Sequence, residues 1–335
     1  MKPTILLTGC AGFIGSNFVK KITCSDAVRN QYNFVIVDAL TYAGRLQTIQ
    51  PELDAFSHLK FQKMDIRRAE AVQKVFNDFQ PAGIIHFAAE SHVDRSIDSP
   101  NIFVETNVLG TLNLLNASLK AAEAKPSFKF VHVSTDEVYG TLEEDSPAFT
   151  EKTPLAPNSP YSASKAGSDL LVRAYFETFK LNACITRCSN NYGPYQFPEK
   201  LIPLMTLNAI EGKPLPVYGN GKNIRDWIFV DDHNRGIWSV FEKGAAGSVY
   251  NFGGQSERRN IDVVKTILSI LKKPDSLIEY VEDRKGHDWR YAIDFTKVHS
   301  ELGWSPSVSF EEGLHQTVSW YTKNNEWLEM LSSNT

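Results

Sequence analysis

A glycine-spaced turn follows the first apolar run of this chain, and it restricts the fold more than any other feature. Ile5-Leu6-Leu7 leads into Thr8-Gly9-Cys10-Ala11-Gly12-Phe13-Ile14-Gly15, and a helical pattern continues from Ile14 to Ile22. At a strand-to-helix junction the first glycine serves a tight turn, and the second lets the backbone approach a pyrophosphate. The third lets the helix pack closely on the strand, and the helix N-terminus favours negative charge. Gly9, Gly12 and Gly15 form a spacing variant of the dinucleotide fingerprint, weak alone because glycine turns are common. Asp38 strengthens it. It ends the next apolar run, Phe34-Val35-Ile36-Val37, 23 residues after Gly15. A carboxylate there accepts hydrogen bonds from a ribose and repels a 2′-phosphate, which predicts NAD rather than NADP.

The apolar runs recur at Leu59-Lys60-Phe61, Gly83–Phe87, Phe130–Val133 and Ala183–Thr186, with helical patterns over Ala69–Phe79 and after Pro100. Near-continuous apolar strands alternating with helices predict an α/β fold, a Rossmann-type doubly wound parallel sheet. Beyond residue 187 prolines and glycines break this rhythm. The expected division is a NAD-binding domain over 1–187, with 224–254 returning to it. Residues 188–223 and 255–330 are then a smaller, irregular α/β lobe that binds substrate.

Composition removes several classes of function. With 35 basic and 39 acidic side chains the formal charge is −4, so no basic field exists for a nucleic-acid partner. No apolar stretch approaches the roughly 18 residues of a membrane span, and no signal-peptide pattern is present. Cys10, Cys24, Cys184 and Cys188 make no disulfide framework or zinc spacing, and the histidines show no metal spacing. A reduced, cytoplasmic chain without a metal is expected.

Two further segments carry chemistry. Tyr161 and Lys165 stand four apart, on one face of a helix continuing through Lys180. Alone this is an ordinary helical pair. Beside a bound cofactor, the ammonium and a positive nicotinamide ring are expected to lower the tyrosine pKa, so that its phenolate takes a hydroxyl proton. The other segment, Ser134-Thr135-Asp136-Glu137-Val138-Tyr139-Gly140, begins at a strand's carboxyl end, where such sheets place their ligands. Thr135 can bridge a substrate hydroxyl to the base. Adjacent carboxyl groups at Asp136 and Glu137 allow one to stay protonated beside an ionised neighbour, which water elimination needs and simple hydride shuttling does not.

Together the glycine turn, Asp38, Ser134-Thr135 and Tyr161/Lys165 resemble the extended short-chain dehydrogenase/reductase family of nucleotide-sugar epimerases and dehydratases, over about residues 4–326. The Thr135-Asp136-Glu137 triplet narrows the likeness, since epimerases of that family typically lack the acidic pair. The segments 38–44, 89–96, 190–195, 197–203 and 225–227 resemble its dTDP-glucose 4,6-dehydratase branch. The resemblance implies a hydro-lyase that oxidises carbon 4 of the sugar, eliminates water across carbons 5 and 6, and returns the hydride to carbon 6. It implies Tyr161 as base at the 4-hydroxyl and Thr135 as its holder. Glu137 is then the carbon-5 base, Asp136 the acid at the 6-hydroxyl, and Lys165 the ribose ligand. A sister dehydratase of UDP- or other nucleotide-linked hexoses, a 4-epimerase and a non-catalytic NAD-binding sensor are the alternatives.

The same matching assigns Gly9, Gly12, Phe13, Ile14, Gly15, Asp38, Thr41, Asp65, Ile66, Ala89, Thr106, Tyr161, Lys165 and Asn191 to NAD. It assigns Ser91, Thr135, Asn190, Lys200, Leu201, Pro216, Tyr218, Arg225, Asn260, Arg284 and His287 to the nucleotide sugar. Two arginines and a lysine suit a diphosphate. Departures from the family pattern are Cys10, Lys285 in place of a usual proline and Trp289 in place of a usual arginine, the last two expected beside the nucleotide. The resemblance also implies a homodimer through the helical stretches Pro100–Ala122 and Tyr161–Lys180. Leu112, Leu115, Leu119, Leu171, Tyr175 and Phe179 recur on them at helical spacing, a stripe that otherwise covers the sheet.

Overall fold

In the computed structural model, which describes residues 2–283 and 286–332, the apolar runs become a seven-stranded sheet. Its strands are β1 (Thr4–Thr8), β2 (Asn33–Asp38), β3 (Leu59–Lys63), β4 (Gly83–His86), β5 (Lys129–Thr135), β6 (Ala183–Cys188) and β10 (Val249–Phe252). The spatial order is β10-β6-β5-β4-β1-β2-β3, and every neighbouring pair is parallel. The order reverses at β1, between β2 and β4. That switch point opens a crevice at the strands' carboxyl ends, where the glycine turn, Asp38 and Thr135 all lie.

Both faces are covered, which is why the strands read as continuous apolar runs. Ile5, Leu7, Ile36, Val131 and Val133 pack into one core with Phe18, Ile237 and Trp238. Leu6, Val35, Ile84 and Phe130 pack into the other with Val72, Leu115 and Val172. The helix Ala69–Phe79 forms over the residues its periodicity predicts. The stretch after Pro100 is less regular: a short helix to Phe103, a wide π-helical turn over Val104–Gly110, then the helix Thr111–Ala124. The helix Pro160–Phe179 starts with a capping box between Ser159 and Ser162.

A second lobe surrounds a three-stranded sheet of β7 (Asn190–Tyr192), β9 (Ile224–Phe229) and β11 (Glu257–Arg259), in the order β11-β9-β7. A two-stranded parallel pair joins β8 (Leu215–Tyr218) to β12 (Ile278–Val281). Its core gathers Tyr192, Met205, Trp227, Val264, Phe310 and Leu314. The chain leaves this lobe after β9. The helix Val230–Lys243 packs on the large sheet before β10 joins its edge.

Candidate active site

Two cavities meet over the carboxyl ends of β1, β2, β4 and β5. The larger, of about 320 Å³, runs from the glycine turn to Tyr161 and Lys165. The smaller, of about 200 Å³, lies between the lobes and reaches Pro216, Arg225 and His287. Glu137, Asn190, Asn191, Gln196, Glu199 and Lys200 line both.

The glycine turn fits a closely approaching ligand. Gly9 has φ +75°, and a Cβ on it would lie 2.5 Å from the Ala88 backbone. A Cβ on Gly15 would lie 2.6 Å from the Cys10 Cα, so helix and strand touch there. Gly12 is different: its nearest neighbour would be the Gly9 carbonyl at 3.4 Å, and it faces the cavity. Asp38 is fixed by the N–H groups of Ala11 (2.9 Å) and Leu40 (2.8 Å). Burial raises its pKa while those two hydrogen bonds pull it back. These features fit a dinucleotide whose pyrophosphate lies on Gly12 and whose ribose meets Asp38.

The remaining residues expected at NAD, including Thr41, Asp65, Ile66, Ala89, Thr106 and Asn191, line the same cavity. The Asp65 carboxylate is already gripped by Arg67 (Nη2 at 2.6 Å), which holds its pKa low. Thr106 reaches the cavity from the wide turn over Val104–Gly110. In that turn the Asn107 side chain donates to Glu90 O (3.0 Å) and accepts from Glu90 N (2.9 Å).

At the end of β5 the catalytic candidates converge. Thr135, Glu137, Tyr161 and Lys165 line the larger cavity. Asp136 is beneath them, 1% exposed, with only a long 3.4 Å hydrogen bond from Thr135 to its Oδ1. Its Oδ2 has no partner among the described residues. Burial, then the charges of Glu137 and Asp226, raise its pKa well above the carboxylate range. Burial thus favours the protonated form of Asp136 beside a second carboxyl group, the pairing that water elimination uses.

The lowering expected at the tyrosine depends on a positive nicotinamide ring, and the chain alone shows the effect that opposes it. Burial and then Glu137 hold the Tyr161 hydroxyl well above its ordinary value. Lys165 turns its ammonium to the Val133 carbonyl (2.9 Å), and burial lowers its pKa to about 8. In the chain alone desolvation therefore outweighs the neighbouring cation. A buried network supports the lysine. His132 Nε2 lies 3.4 Å from Lys165 Nζ and 3.4 Å from Asp169 Oδ1, and Arg187 Nε donates to Asp169 Oδ2 at 2.8 Å.

Comparison with known proteins agrees with this geometry. The family model described as GDP-mannose 4,6 dehydratase matches residues 6–317. The dTDP-glucose 4,6-dehydratase of Xanthomonas campestris is 52% identical over 97% of this chain and 95% of the relative. That of Escherichia coli K12 is 49% identical over 98% and 95%. The chain belongs to the dTDP-glucose 4,6-dehydratase family. Among solved structures, the family member DesIV from Streptomyces venezuelae, crystallised with NAD and TYD, superposes with a TM-score of 0.92. It has 48% identity and covers 98% of this chain and 99% of that one. A UDP-glucose 4-epimerase from Thermotoga maritima, solved with UDP-glucose, shares the fold at TM-score 0.86 with 30% identity, covering 96% and 99%.

The residues expected to hold a nucleotide sugar in a 4,6-dehydratase are distributed over both cavities. Ser91 and Thr135 line the larger one. Leu201, Pro216, Tyr218, Arg225, Asn260 and His287 line the smaller, and Asn190 and Lys200 line both. Arg284 and Lys285 lie outside the described residues. The Arg225 guanidinium stacks over Tyr291 (4.4 Å) and donates to the carbonyls of Ile224 (2.8 Å) and Asp288 (2.9 Å). Lys200 donates to Ser91 O at 2.8 Å. Trp289, the departure expected beside the nucleotide, lines neither cavity; its backbone N–H donates to Thr141 Oγ1 (2.9 Å).

The structure adds residues that the motifs missed. Glu199 stands between the two cavities. Tyr291 lines the smaller one, its hydroxyl donating to Asp288 and raised well above its usual pKa by burial and Glu137. Cys188 lines the larger one. Glu199 adjoins Lys200 and Tyr291 stands two residues after Trp289, so adjacency to matched residues was their only signal. Among the described residues no group of three or more His, Cys, Asp or Glu side chains is placed to hold a metal. No described helix is long and apolar enough to cross a membrane.

Proposed function

We propose that this chain dehydrates dTDP-glucose to dTDP-4-keto-6-deoxyglucose, with NAD regenerated in every cycle. The observation that carries this reading is Asp136, buried beside Glu137 with one oxygen unpartnered among the described residues, at the junction of a dinucleotide cavity and a second cavity between the lobes. NAD held by Gly12, Asp38 and Lys165 would supply the hydride acceptor for carbon 4, the hydride donor for carbon 6 and a positive ring near Tyr161. The Thr135 hydroxyl orients the 4-hydroxyl, and the Tyr161 oxygen takes its proton. The new ketone acidifies carbon 5, whose proton passes to Glu137. Asp136 gives its proton to the 6-hydroxyl, which leaves as water. Glu137 exchanges its proton with solvent and then protonates carbon 5, and the proton gained at Tyr161 replaces the one lost from Asp136 through solvent.

Within the substrate cavities Arg225 and Lys200 meet the diphosphate, with His287, Asn260 and Tyr218 around the nucleoside. Lys165, backed by His132, Asp169 and Arg187, orients the cofactor ribose. Incubation with a panel of nucleotide-linked hexoses tests the substrate. A 4-keto-6-deoxy product carrying solvent deuterium at carbon 5 is expected from dTDP-glucose. Turnover of the UDP-linked sugar alone overturns the choice of nucleotide.

In this reading residues 1–187 and the returning segment 230–254 form the cofactor domain, and 188–223 with 255–330 the substrate lobe. The strand β9, expected to return with 224–254, pairs instead with β7 and β11 in the second lobe's sheet. The assembly is a homodimer. Most of the sequence stripe covers the sheet, with Leu115 and Tyr175 buried in its core and Leu112, Leu119 and Leu171 packed against it, while Phe179 is its outward-facing member. Apolar side chains that do face outward on these elements are Val104, Leu109, Leu170 and Phe179. Together they offer the surface that a second copy would cover. A cytoplasmic location rests on the free thiols of all four cysteines.

A further inference from the structure

Two walls of the larger cavity are tied together by a side chain that lines neither. One wall is the loop after β2, which contributes Thr41, Ala43 and Gly44. This loop is set by Leu40 at φ +56° and by the bond from Arg45 N to Ala11 O (2.9 Å). The facing wall is the loop after β7, which contributes Gln196, Phe197 and Glu199. From between Thr41 and Ala43, Tyr42 donates its hydroxyl to Glu199 Oε1 at 2.9 Å.

The tyrosine is held from two more sides. The Arg95 guanidinium stacks 3.6 Å from the centre of its ring, and the Phe197 ring meets it edge-on at 5.5 Å. The second Glu199 oxygen lies 3.8 Å from His92 Nε2. Behind the facing wall stands an aromatic buttress. Tyr321 donates to Gln196 O at 2.5 Å, and Trp320 and Trp327 pack on Tyr195 at 4.5 and 5.8 Å. Trp327 also donates to Thr48 Oγ1 (3.1 Å), so the C-terminal helix grips both sides. Tyr195 itself sits at φ +66°, a strained conformation kept only where its surroundings over-determine it.

We propose that the Tyr42–Glu199 hydrogen bond is a latch across the dinucleotide cavity and sets how fast NAD leaves. This rests on the NAD reading given above. A dinucleotide extended from Gly12 to Lys165 passes between these walls, and its escape requires them to part. The phenol–carboxylate bond is charge-assisted and partly shielded from water, so it resists that opening. A cofactor restored within each cycle has no need to exchange between turnovers, and a latch is compatible with the chemistry.

The test compares wild type with Tyr42→Phe, which keeps the ring and removes the donor. Protein loaded with radiolabelled NAD is chased with unlabelled NAD, and release is timed by rapid filtration. Release is expected to be roughly tenfold to hundredfold faster in the variant, the range for losing a hydrogen bond to a charged group. Turnover at saturating NAD stays at the wild-type level. Arg95→Leu, which leaves the hydroxyl and removes the stacked cation, speeds release by a smaller factor and decides the matter if Tyr42→Phe does not fold. Unchanged release in the folded variants, or lost turnover with unchanged release, overturns the latch alone. If wild type takes up no labelled NAD, the cofactor reading falls and the latch with it.

Discussion

Replacing Asp136 by asparagine isolates the acid from the rest of the machinery. The amide keeps the shape of the carboxyl group and cannot deliver its proton. Asp136 makes one long hydrogen bond of 3.4 Å, from Thr135, and its other oxygen has no partner among the described residues. The structural loss is therefore at most about 1 kcal/mol. A gain opposes it. The unfolded carboxyl ionises above about pH 3.9 while the buried one, raised by desolvation and Glu137, keeps its proton. Wild type is thus progressively penalised as pH rises from there toward the folded pKa, and the amide carries no such penalty. Asp136→Asn should melt at or above the wild-type temperature at pH 7, with the advantage gone below about pH 4. Turnover is different: losing a general acid costs roughly 10²–10⁴-fold, or about 3 to 5 kcal/mol of barrier. Rapid-mixing absorbance should show reduced nicotinamide building up, because in the proposed mechanism oxidation at carbon 4 runs through Tyr161 and not Asp136. Glu137→Gln should also accumulate it, and isotope exchange separates the two. In deuterated water Asp136→Asn still exchanges the carbon-5 proton through Glu137, and Glu137→Gln does not. Turnover of Asp136→Asn within a few-fold of wild type would refute its role as the acid. Absence of exchange in that variant would refute the division of labour between the two carboxyl groups.

Two further outcomes follow from a buried histidine and from two exposed apolar side chains. Burial, and then the Lys165 charge, lowers the His132 pKa from 6.5 to about 4. The unfolded chain therefore takes up a proton that the native state refuses, and stability present above pH 6.5 is lost as pH falls toward 4, by roughly 3 kcal/mol. Urea unfolding across this window should be flatter for His132→Gln, and an unchanged slope counts against a neutral His132. On the surface, Leu170 and Phe179 are 56% and 51% exposed. Leu170→Lys with Phe179→Lys should weaken self-association at least tenfold, since each covered side chain contributes roughly 1.5 to 3 kcal/mol. Sedimentation showing wild type to be monomeric, or the double variant still fully dimeric, removes that surface from the assembly.

What the sequence made legible was local. Gly9, Gly12 and Gly15 announce their turn because their spacing is the geometry, and the helix Ala69–Phe79 follows its own period. Tyr161 and Lys165 share a face by helical arithmetic alone. Their electrostatics are not local. The Tyr161 pKa is raised because Glu137 and a buried cavity surround it, and Lys165 aims at Val133 because His132 and Asp169 stand behind it. The dimer stripe shows the same division. A period of apolar residues identifies a helix face, yet Leu115 on it is fully buried in the sheet's core and Phe179 is 51% exposed, which the spacing does not tell. The latch is the extreme case: Tyr42 and Glu199 are 157 residues apart, and neither has a spacing that points to the other. Resemblance places their segments in a family, but only the fold brings the loop after β2 against the loop after β7. In the proposed reading, contacts between such loops set how long a cofactor stays while motif residues set what it does, and only the motif residues carry a local spacing that a sequence displays.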